Sequence, residues 1–137
     1  MIKSRWIRWH GVAVLHLDYA NFKQDIEGLR SEVVEADAEI QREPKGSVLV
    51  LIDLRETVAS SAVVILFKES SALTNPYIRR HALIGVHGMK RFLADKVARL
   101  TRRPMRLFDT PEQALDWLTK GEAGENVGDV IGVTPAP

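Results

Sequence analysis

The apolar residues of the first forty positions change from a spacing of two to a spacing of three and four. Residues 5–19, RWIRWHGVAVLHLDY, alternate around His10 and Gly11, which predicts two short strands joined by a tight turn, the second of them buried on both faces. Over residues 22–40, apolar side chains recur at every third or fourth position. This spacing predicts a long amphipathic helix with Asn21 as its N-cap and an acidic outer face.

The middle of the chain alternates between apolar runs and helical periods. Residues 47–54, SVLVLIDL, form a continuous apolar run of the length typical of a buried parallel strand. Residues 62–74 place apolar side chains at helical spacings, although their β-branched content also suits a strand, and we predict a helix there. Residues 77–86 then predict a strand whose apolar half ends at Gly85.

The following segments predict one more helix, a strand and a closing helix. Residues 88–101 carry one apolar face and a basic remainder, which predicts a helix. Residues 104–108, PMRLF, predict a short strand. Thr110 and Gln113 form a capping box, because a threonine cap is followed three residues later by a glutamine, and this predicts a helix over residues 111–118.

This order of elements predicts an α/β protein. Strands separated by helices build a mostly parallel central sheet, here of about five strands with an N-terminal β-hairpin and about four helices. We expect a single domain over residues 1–120 and a flexible tail rich in glycine and proline over residues 121–137. In such sheets ligands and partners gather at the carboxyl ends of the strands. The predicted C-terminal edge contains Asp18, residues 53–61, residues 85–90 and Asp109.

Composition and charge narrow the class of protein. The hydrophobic fraction of 45% and the charged fraction of 27% are ordinary for a globular domain, and the lack of cysteine excludes disulfides and thiolate metal sites. The chain shows neither a signal-peptide pattern nor a run of about 18 apolar residues, which predicts a cytoplasmic protein without membrane insertion. Residues 24–43 hold seven acidic and two basic side chains, whereas residues 76–108 hold nine basic and one acidic. This polarity suits either an anionic partner or two solvated helix faces.

Two strand-to-helix turns are candidate binding sites. Ser60 and Ser61 precede the predicted second helix, where a serine caps the helix and where a phosphate would also be tolerated by the free N–H groups. The second turn combines glycines with basic side chains, a pattern that binds anions through converging backbone amides or that only permits close packing. Its candidate residues are Gly85, His87, Gly88, Lys90 and Arg91.

Other candidate chemistry is weaker. Asp18 and Asp53 end neighbouring predicted strands, so they suit either acid–base catalysis or hydrogen bonding to Arg55 and backbone amides, and we favour the second role. The four histidines lack metal-ligand spacing, so we predict no metal and no cofactor. The RWIRW segment alternates cations with aromatics, as nucleic-acid surfaces do, but its two tryptophans would face opposite sides of the hairpin. We therefore do not expect nucleic-acid binding.

Four segments of the chain form a recognisable set: DYANF at 18–22, LIDLR at 51–55, LIGVHGMKRFL at 83–93 and RRPMRLFDTPEQALDWL at 102–118. With the hairpin and the central strand they resemble the STAS-like, or anti-sigma-factor-antagonist-like, family of small bacterial proteins, which is grouped with the CRAL-TRIO folds. The resemblance covers residues 6–119. STAS regulators are phosphorylated on a serine in a pattern close to Asp-Ser-Ser-Gly, and this position falls on Ser60. Ala59 and Ala62 stand where that pattern has aspartate and glycine.

The resemblance and the predicted edge together lead to a functional expectation. We expect a non-enzymatic regulatory or binding module that recognises a protein partner or a small anionic ligand through residues 55–61 and the start of the helix at residue 88. One alternative is a carrier of a lipid-like or acidic small molecule above the turn at residues 85–91. Another is a small hydrolase that uses Asp18 and Asp53. A homodimer formed through the hairpin edge or the tail is also expected to cover exposed strand groups.

Overall fold

The computed structural model describes residues 3–86 and 104–122, where the chain forms five strands and three α-helices. The strands are β1 (Arg5–Trp9), β2 (Val12–Asp18), β3 (Val48–Asp53), β4 (Ile78–Ile84) and β5 (Met105–Phe108). The helices are α1 (Ile26–Ile40), α2 (Ser61–Thr74) and α3 (Pro111–Thr119), and a 3₁₀ turn (Asn75–Tyr77) joins α2 to β4. The helix predicted over residues 88–101 and most of the predicted tail lie outside the described residues.

A single sheet with the strand order β1-β2-β3-β4-β5 organises the described residues. β1 runs antiparallel to β2, and the three other neighbouring pairs are parallel. The turn between β1 and β2 has φ of 50° at His10 and 80° at Gly11, the positive values of a type I′ hairpin turn. The predicted hairpin and mostly parallel sheet are therefore confirmed.

Helices α1 and α2 cover one face of this sheet. Since β2, β3 and β4 are adjacent and parallel, two right-handed crossovers place both helices on the same side. The segment predicted as helical despite its β-branched residues is confirmed as α2. Its buried residues Val63 and Leu66 join a core that also contains Leu15, Val33, Val50 and Ile78.

Helix α3 covers the other face and closes a second core. Thr110 caps it, with its Oγ1 accepting a hydrogen bond from the backbone N–H of Gln113 at 3.2 Å, as the capping box predicts. Because side chains alternate along a strand, β2, β3 and β4 each contribute to both cores. The second core includes Val14, Leu51, Ile84, Leu115 and Leu118.

The start of α1 differs from the prediction. The N-cap is Asp25, whose Oδ1 accepts a hydrogen bond from the N–H of Gly28 at 2.9 Å. Asn21 lies in the preceding loop with φ of 62°, a left-handed conformation that asparagine tolerates better than most residues. The assignment of Asn21 as the cap was therefore wrong, because the helix begins only at Ile26 and Asn21 does not have the extended backbone of an N-cap.

The predicted acidic outer face of α1 also needs correction, because two of its acids point inward. Glu32 and Asp37 are 4% and 5% exposed. Glu32 accepts a hydrogen bond from the backbone N–H of Ser4 at 2.7 Å, and Asp37 accepts one from the Ser70 hydroxyl at 2.6 Å. Burial raises the pKa of Asp37 to about 6, against the opposing effect of the Ser70 hydrogen bond.

Candidate functional site

Two loops at the C-terminal edge of the sheet, which follow β2 and β3, are hydrogen-bonded to each other. The N–H of Asn21 donates to the carbonyl of Arg55 at 2.8 Å, and the N–H of Lys23 donates to the carbonyl of Glu56 at 2.9 Å. Asn21, Lys23 and Glu56 all have positive φ, which few non-glycine residues adopt. Because neighbouring backbone groups hold these three conformations, the two loops form one ordered rim.

Asp53 and Arg55 form the strongest polar contact of this rim. The Asp53 carboxylate accepts hydrogen bonds from the Arg55 backbone N–H at 3.0 Å, from Nε at 3.0 Å and from Nη2 at 2.7 Å. The Asp53 side chain is only 5% exposed, whereas the Arg55 side chain is 56% exposed. A buried carboxylate therefore fixes a guanidinium that still faces solvent.

The ionisation of both groups is stabilised by this contact. Burial alone would raise the pKa of Asp53, but the hydrogen bonds and charge of Arg55 hold it below its ordinary value. The same hydrogen bond raises the pKa of Arg55. The predicted role of Asp53, bonding Arg55 and its backbone amide, is what the structure shows.

Gly85 follows β4 and lies directly against Arg55. Its φ is 80°, and an added Cβ would lie 2.5 Å from the backbone nitrogen of Arg55 and 2.7 Å from its Cγ. Gly85 is thus required for the close approach of two strand ends. The other residues of the predicted anion-binding turn, His87, Gly88, Lys90 and Arg91, lie outside the described residues.

An open polar cleft of about 690 Å³ lies at this edge, on the α3 face of the sheet. Asp18 and Asp53 are register partners in β2 and β3, so the structure brings the two predicted carboxylates to the same level. Asp18 accepts a hydrogen bond from the N–H of Ala20 at 3.2 Å and lies 3.5 Å from Nζ of Lys3. The cleft is lined by Arg5, His16, Asp18, Ala20, Asn21, Asp53, Arg55, Glu56 and Gly85.

Sequence reasoning missed several of these lining residues. His16 lies two positions before Asp18 and therefore on the same strand face, and β1 places Arg5 opposite His16. Strand alternation could have revealed both. Burial lowers the pKa of His16, and its Nε2 is buried without a hydrogen-bond partner in the described part of the chain. Asn21 gave no such signal, because its position depends on the loop pairing, whereas Glu56 falls within the predicted loop at residues 55–61.

Ser60 and Ser61 do not line the cleft. Ser60 is the N-cap of α2, with its Oγ accepting a hydrogen bond from the N–H of Val63 at 3.2 Å, and both serines are exposed. They lie at the start of a helix that covers the opposite face of the sheet. The structure therefore separates the predicted serines from Asp53, Arg55 and Gly85.

A second, apolar cavity of about 90 Å³ lies beneath α2. Its walls come from α2, from the loop before it and from the central strands. Representative lining residues are Ala59, Val63, Phe67, Leu83, Val86 and Met105. The carrier alternative places its ligand above the turn at residues 85–91. Val86 belongs to this turn and also lines the cavity, so the cavity adjoins the place where such a ligand is expected.

Within residues 3–86 and 104–122, no group of three or more histidine, aspartate or glutamate side chains is placed to hold a metal ion. No helix in that part of the chain has the length and apolar character needed to cross a membrane.

Comparison with known proteins identifies the fold. An uncharacterized protein of the DUF3478 family from Shewanella loihica, described as having a SpoIIAA-like fold, matches with a TM-score of 0.57 and 19% identity. The match covers 84% of this chain and 91% of that chain. No family model matches the sequence, and no curated protein matches it. The chain therefore has the SpoIIAA-like, STAS-like α/β fold that its sequence segments resemble.

Proposed function

We propose that this protein is a non-enzymatic binding module that recognises an anionic group, on a protein partner or a small molecule, at the C-terminal edge of its sheet. The observation that carries this proposal is the Arg55 guanidinium, which the buried Asp53 carboxylate holds at the mouth of the polar cleft. An arginine with a fixed orientation loses less entropy on binding than a freely rotating one.

The donors of Arg55 support this role. Asp53 uses Nε and Nη2, so Nη1 and the second hydrogen of Nη2 remain to donate to a carboxylate or phosphate. Arg5 adds positive charge to the cleft, while Asp18 and Glu56 add negative charge. This balance disfavours a highly charged free anion, and it favours a single acidic group that a protein partner presents together with donors of its own.

The hydrolase alternative has less support. Asp53 is held ionised by Arg55, which makes it a weak base and removes it as a general acid near neutral pH. Asp18 is engaged with the Ala20 N–H and with Lys3. The carrier alternative is supported by the apolar cavity beneath α2, and native mass spectrometry of gently purified protein tests it, since a carrier would retain extra mass.

Phosphorylation of Ser60 remains a proposal that comes from the resemblance. Ser60 is exposed, and a phosphate at a helix N-terminus is favoured by the helix dipole. Two observations together would exclude a phosphorylation switch at Ser60: unchanged partner binding by Ser60→Asp, and a Ser60 that is always unmodified in the native host. We also propose that the protein is cytoplasmic.

The first experiment is a titration with acetate and with inorganic phosphate, followed through backbone amide resonances. We expect shifts at Asn21, Arg55 and Gly85, and we expect Arg55→Ala to lose them and Arg55→Lys to weaken them. The matched control is Arg79→Ala, because Arg79 is also half exposed and held by a carboxylate, Glu122 at 2.9 Å, but lies at the start of β4. A response that survives in Arg55→Ala would contradict the proposal.

The second experiment tests a protein partner. A photocrosslinking residue at the exposed position of Glu56 should capture a partner in cells, and the same residue at the position of Lys45, between α1 and β3, should not. Capture at Glu56 should disappear in the Arg55→Ala background. Equal capture at both positions, together with no response to either anion, would exclude recognition at this edge.

A further inference from the structure

β1 is the edge strand of the sheet, and among the described residues it pairs only with β2. No described residue pairs with its outer backbone groups, which a strand from outside residues 3–86 and 104–122 can therefore approach. The strand also exposes aromatic and cationic side chains: Trp6 is 37% exposed, and Arg5 and Arg8 are exposed. Because exposed arginines on an edge strand repel a partner that places like charges against them, β1 can pair only with a strand that offers these arginines a complementary site.

The two tryptophans of β1 each hold a carboxylate. The Trp6 indole N–H donates to Glu39 of α1 at 3.1 Å, and the Trp9 indole N–H donates to Asp116 of α3 at 2.8 Å. Because α1 and α3 lie on opposite faces of the sheet, the edge carries one tryptophan–carboxylate pair on each face. An indole ring beside a carboxylate is a favourable receptor for an arginine.

We propose that β1 pairs with β1 of a second copy of this chain, antiparallel and about a two-fold axis at Ile7. This register places Arg5 opposite Trp9 of the second copy, and Trp6 opposite Arg8 of the second copy. Directly opposite residues of an antiparallel pair lie on the same face, so each arginine reaches one tryptophan–carboxylate pair. The result is one continuous sheet that joins the five strands described in each chain.

Neighbouring registers lack this match. In a two-fold symmetric pair, residues directly opposite each other must lie on the same face of the sheet. A shift of one residue would break this rule, so the nearest alternative registers differ by two residues. One shift places Arg8 opposite its own copy, and like charges directly opposite each other are destabilising. The other places Trp6 opposite its own copy and leaves Trp9 without an arginine. Only the register centred on Ile7 satisfies both tryptophans.

The register can be tested by disulfide formation, because the chain has no cysteine of its own. Ile7→Cys should crosslink rapidly under mild oxidation, since opposite residues place their Cα atoms about 4.5–5.5 Å apart, within disulfide range. Arg8→Cys and Trp6→Cys should each crosslink slowly alone and rapidly when mixed. Equal crosslinking rates for Ile7→Cys and Arg8→Cys would overturn the proposed pairing.

The charges can be tested by sedimentation over a range of concentrations. The unmodified chain should form a dimer, and Arg5→Glu combined with Arg8→Glu should raise its dissociation constant roughly tenfold or more. Lys45→Glu combined with Lys68→Glu makes the same change in net charge at exposed positions away from β1 and should leave the dimer intact. A monomer at every concentration, or equal effects of the two double variants, would overturn the inference. The crosslinking test remains decisive if the arginine variant fails to fold.

Discussion

Single residues set the shape of the rim at the C-terminal edge, and Gly85 shows how. Gly46 and Gly85 both adopt positive φ, of 71° and 80°. They differ in their surroundings, since nothing lies within 4 Å of a Cβ added at Gly46, whereas Arg55 fills that space at Gly85. The same backbone conformation therefore serves an open turn in one place and a close strand-end contact in the other.

Gly85→Ala is accordingly expected to destabilise the protein more than Gly46→Ala. The variant at Gly46 should cost only the strain of positive φ, about 1 kcal/mol. The variant at Gly85 should cost a further 1–3 kcal/mol or so, because the new methyl group meets backbone rather than a movable side chain. Urea unfolding of the two variants measures both values, and equal losses of stability would show that the contact with Arg55 is unimportant.

Asp37 makes stability depend on pH. Its pKa is raised by burial to about 6, from about 4 in the unfolded chain. The folded state therefore binds the proton more tightly, so this residue makes the protein less stable as pH rises from about 4 through about 6. Above that range the cost of the buried charge stays constant.

Asp37→Asn should remove this cost while keeping an acceptor for the Ser70 hydroxyl. We expect the variant to gain stability relative to the unchanged protein as pH rises, by about 1–3 kcal/mol at pH 8, and to show little difference below pH 4. Unfolding of both proteins at several pH values measures the difference between their free energies of unfolding. Other titrating groups are the same in both proteins, so their contributions cancel in this difference. A difference that is the same at pH 4 and pH 8 would contradict the assignment.

At the scale of elements, α2 illustrates how context decides an ambiguous segment. Its β-branched residues suit a strand, yet Ser60 caps a helix there, and a helix is needed to connect the parallel strands β3 and β4. The N-cap at Ser60 and the connection between β3 and β4 therefore both favour a helix in this segment. Packing of Val63 and Leu66 on the sheet then buries the apolar side of the helix.

Ser60→Ala should destabilise the protein by about 0.5–2 kcal/mol, because the N–H of Val63 loses its acceptor. Ser60→Asp should keep the cap and lose little stability. Ser61→Ala is the control, since Ser61 is exposed and is already the first helical residue. Thermal unfolding of the three variants checks the order, and a loss at Ser61 as large as that at Ser60 would place the cap elsewhere.

At the scale of the whole molecule, one sheet separates two cores. Leu29 of α1 lies in the core under α1 and α2, and Leu118 of α3 lies in the core on the other face; they are 1% and 0% exposed. Because β2, β3 and β4 supply side chains to both cores, neither core can form without the shared strands. Unfolding should therefore be a single cooperative transition.

Leu29→Ala and Leu118→Ala should each cost about 2–5 kcal/mol, and each should shift the whole transition. Val34→Ala is the matched control, because Val34 is 57% exposed on α1 and should change stability by less than about 0.5 kcal/mol. Far-ultraviolet circular dichroism and tryptophan fluorescence should report coincident midpoints in every variant. Separate midpoints in Leu118→Ala would show that α3 unfolds independently.

Much of the architecture followed from local pattern. The alternation around the hairpin, the apolar run of β3, the periods of α1 and α2 and the capping box of α3 each predict an element correctly, because these signals depend on neighbours within one or two turns. The same patterns placed Asp18 and Asp53 at adjacent strand ends. They also predicted that Asp53 bonds Arg55.

Other features needed the tertiary structure. The N-cap is Asp25 rather than Asn21 because pairing with the loop after β3 accompanies a left-handed Asn21, which an N-cap does not adopt. Glu32 and Asp37 are buried where the Ser4 backbone N–H and the Ser70 hydroxyl donate hydrogen bonds to them. The separation of Ser60 from the cleft depends on the face that α2 covers.

The sequence by itself determined which segments form strands and helices, since hydrophobic period and capping are properties of short stretches of chain. The tertiary structure alone decided which polar groups meet, because strand order, register and loop pairing join residues that are far apart in the sequence. The cleft around Arg55 belongs to this second kind, as its lining comes from β1, β2, β3, the loops that follow β2 and β3, and the residue after β4.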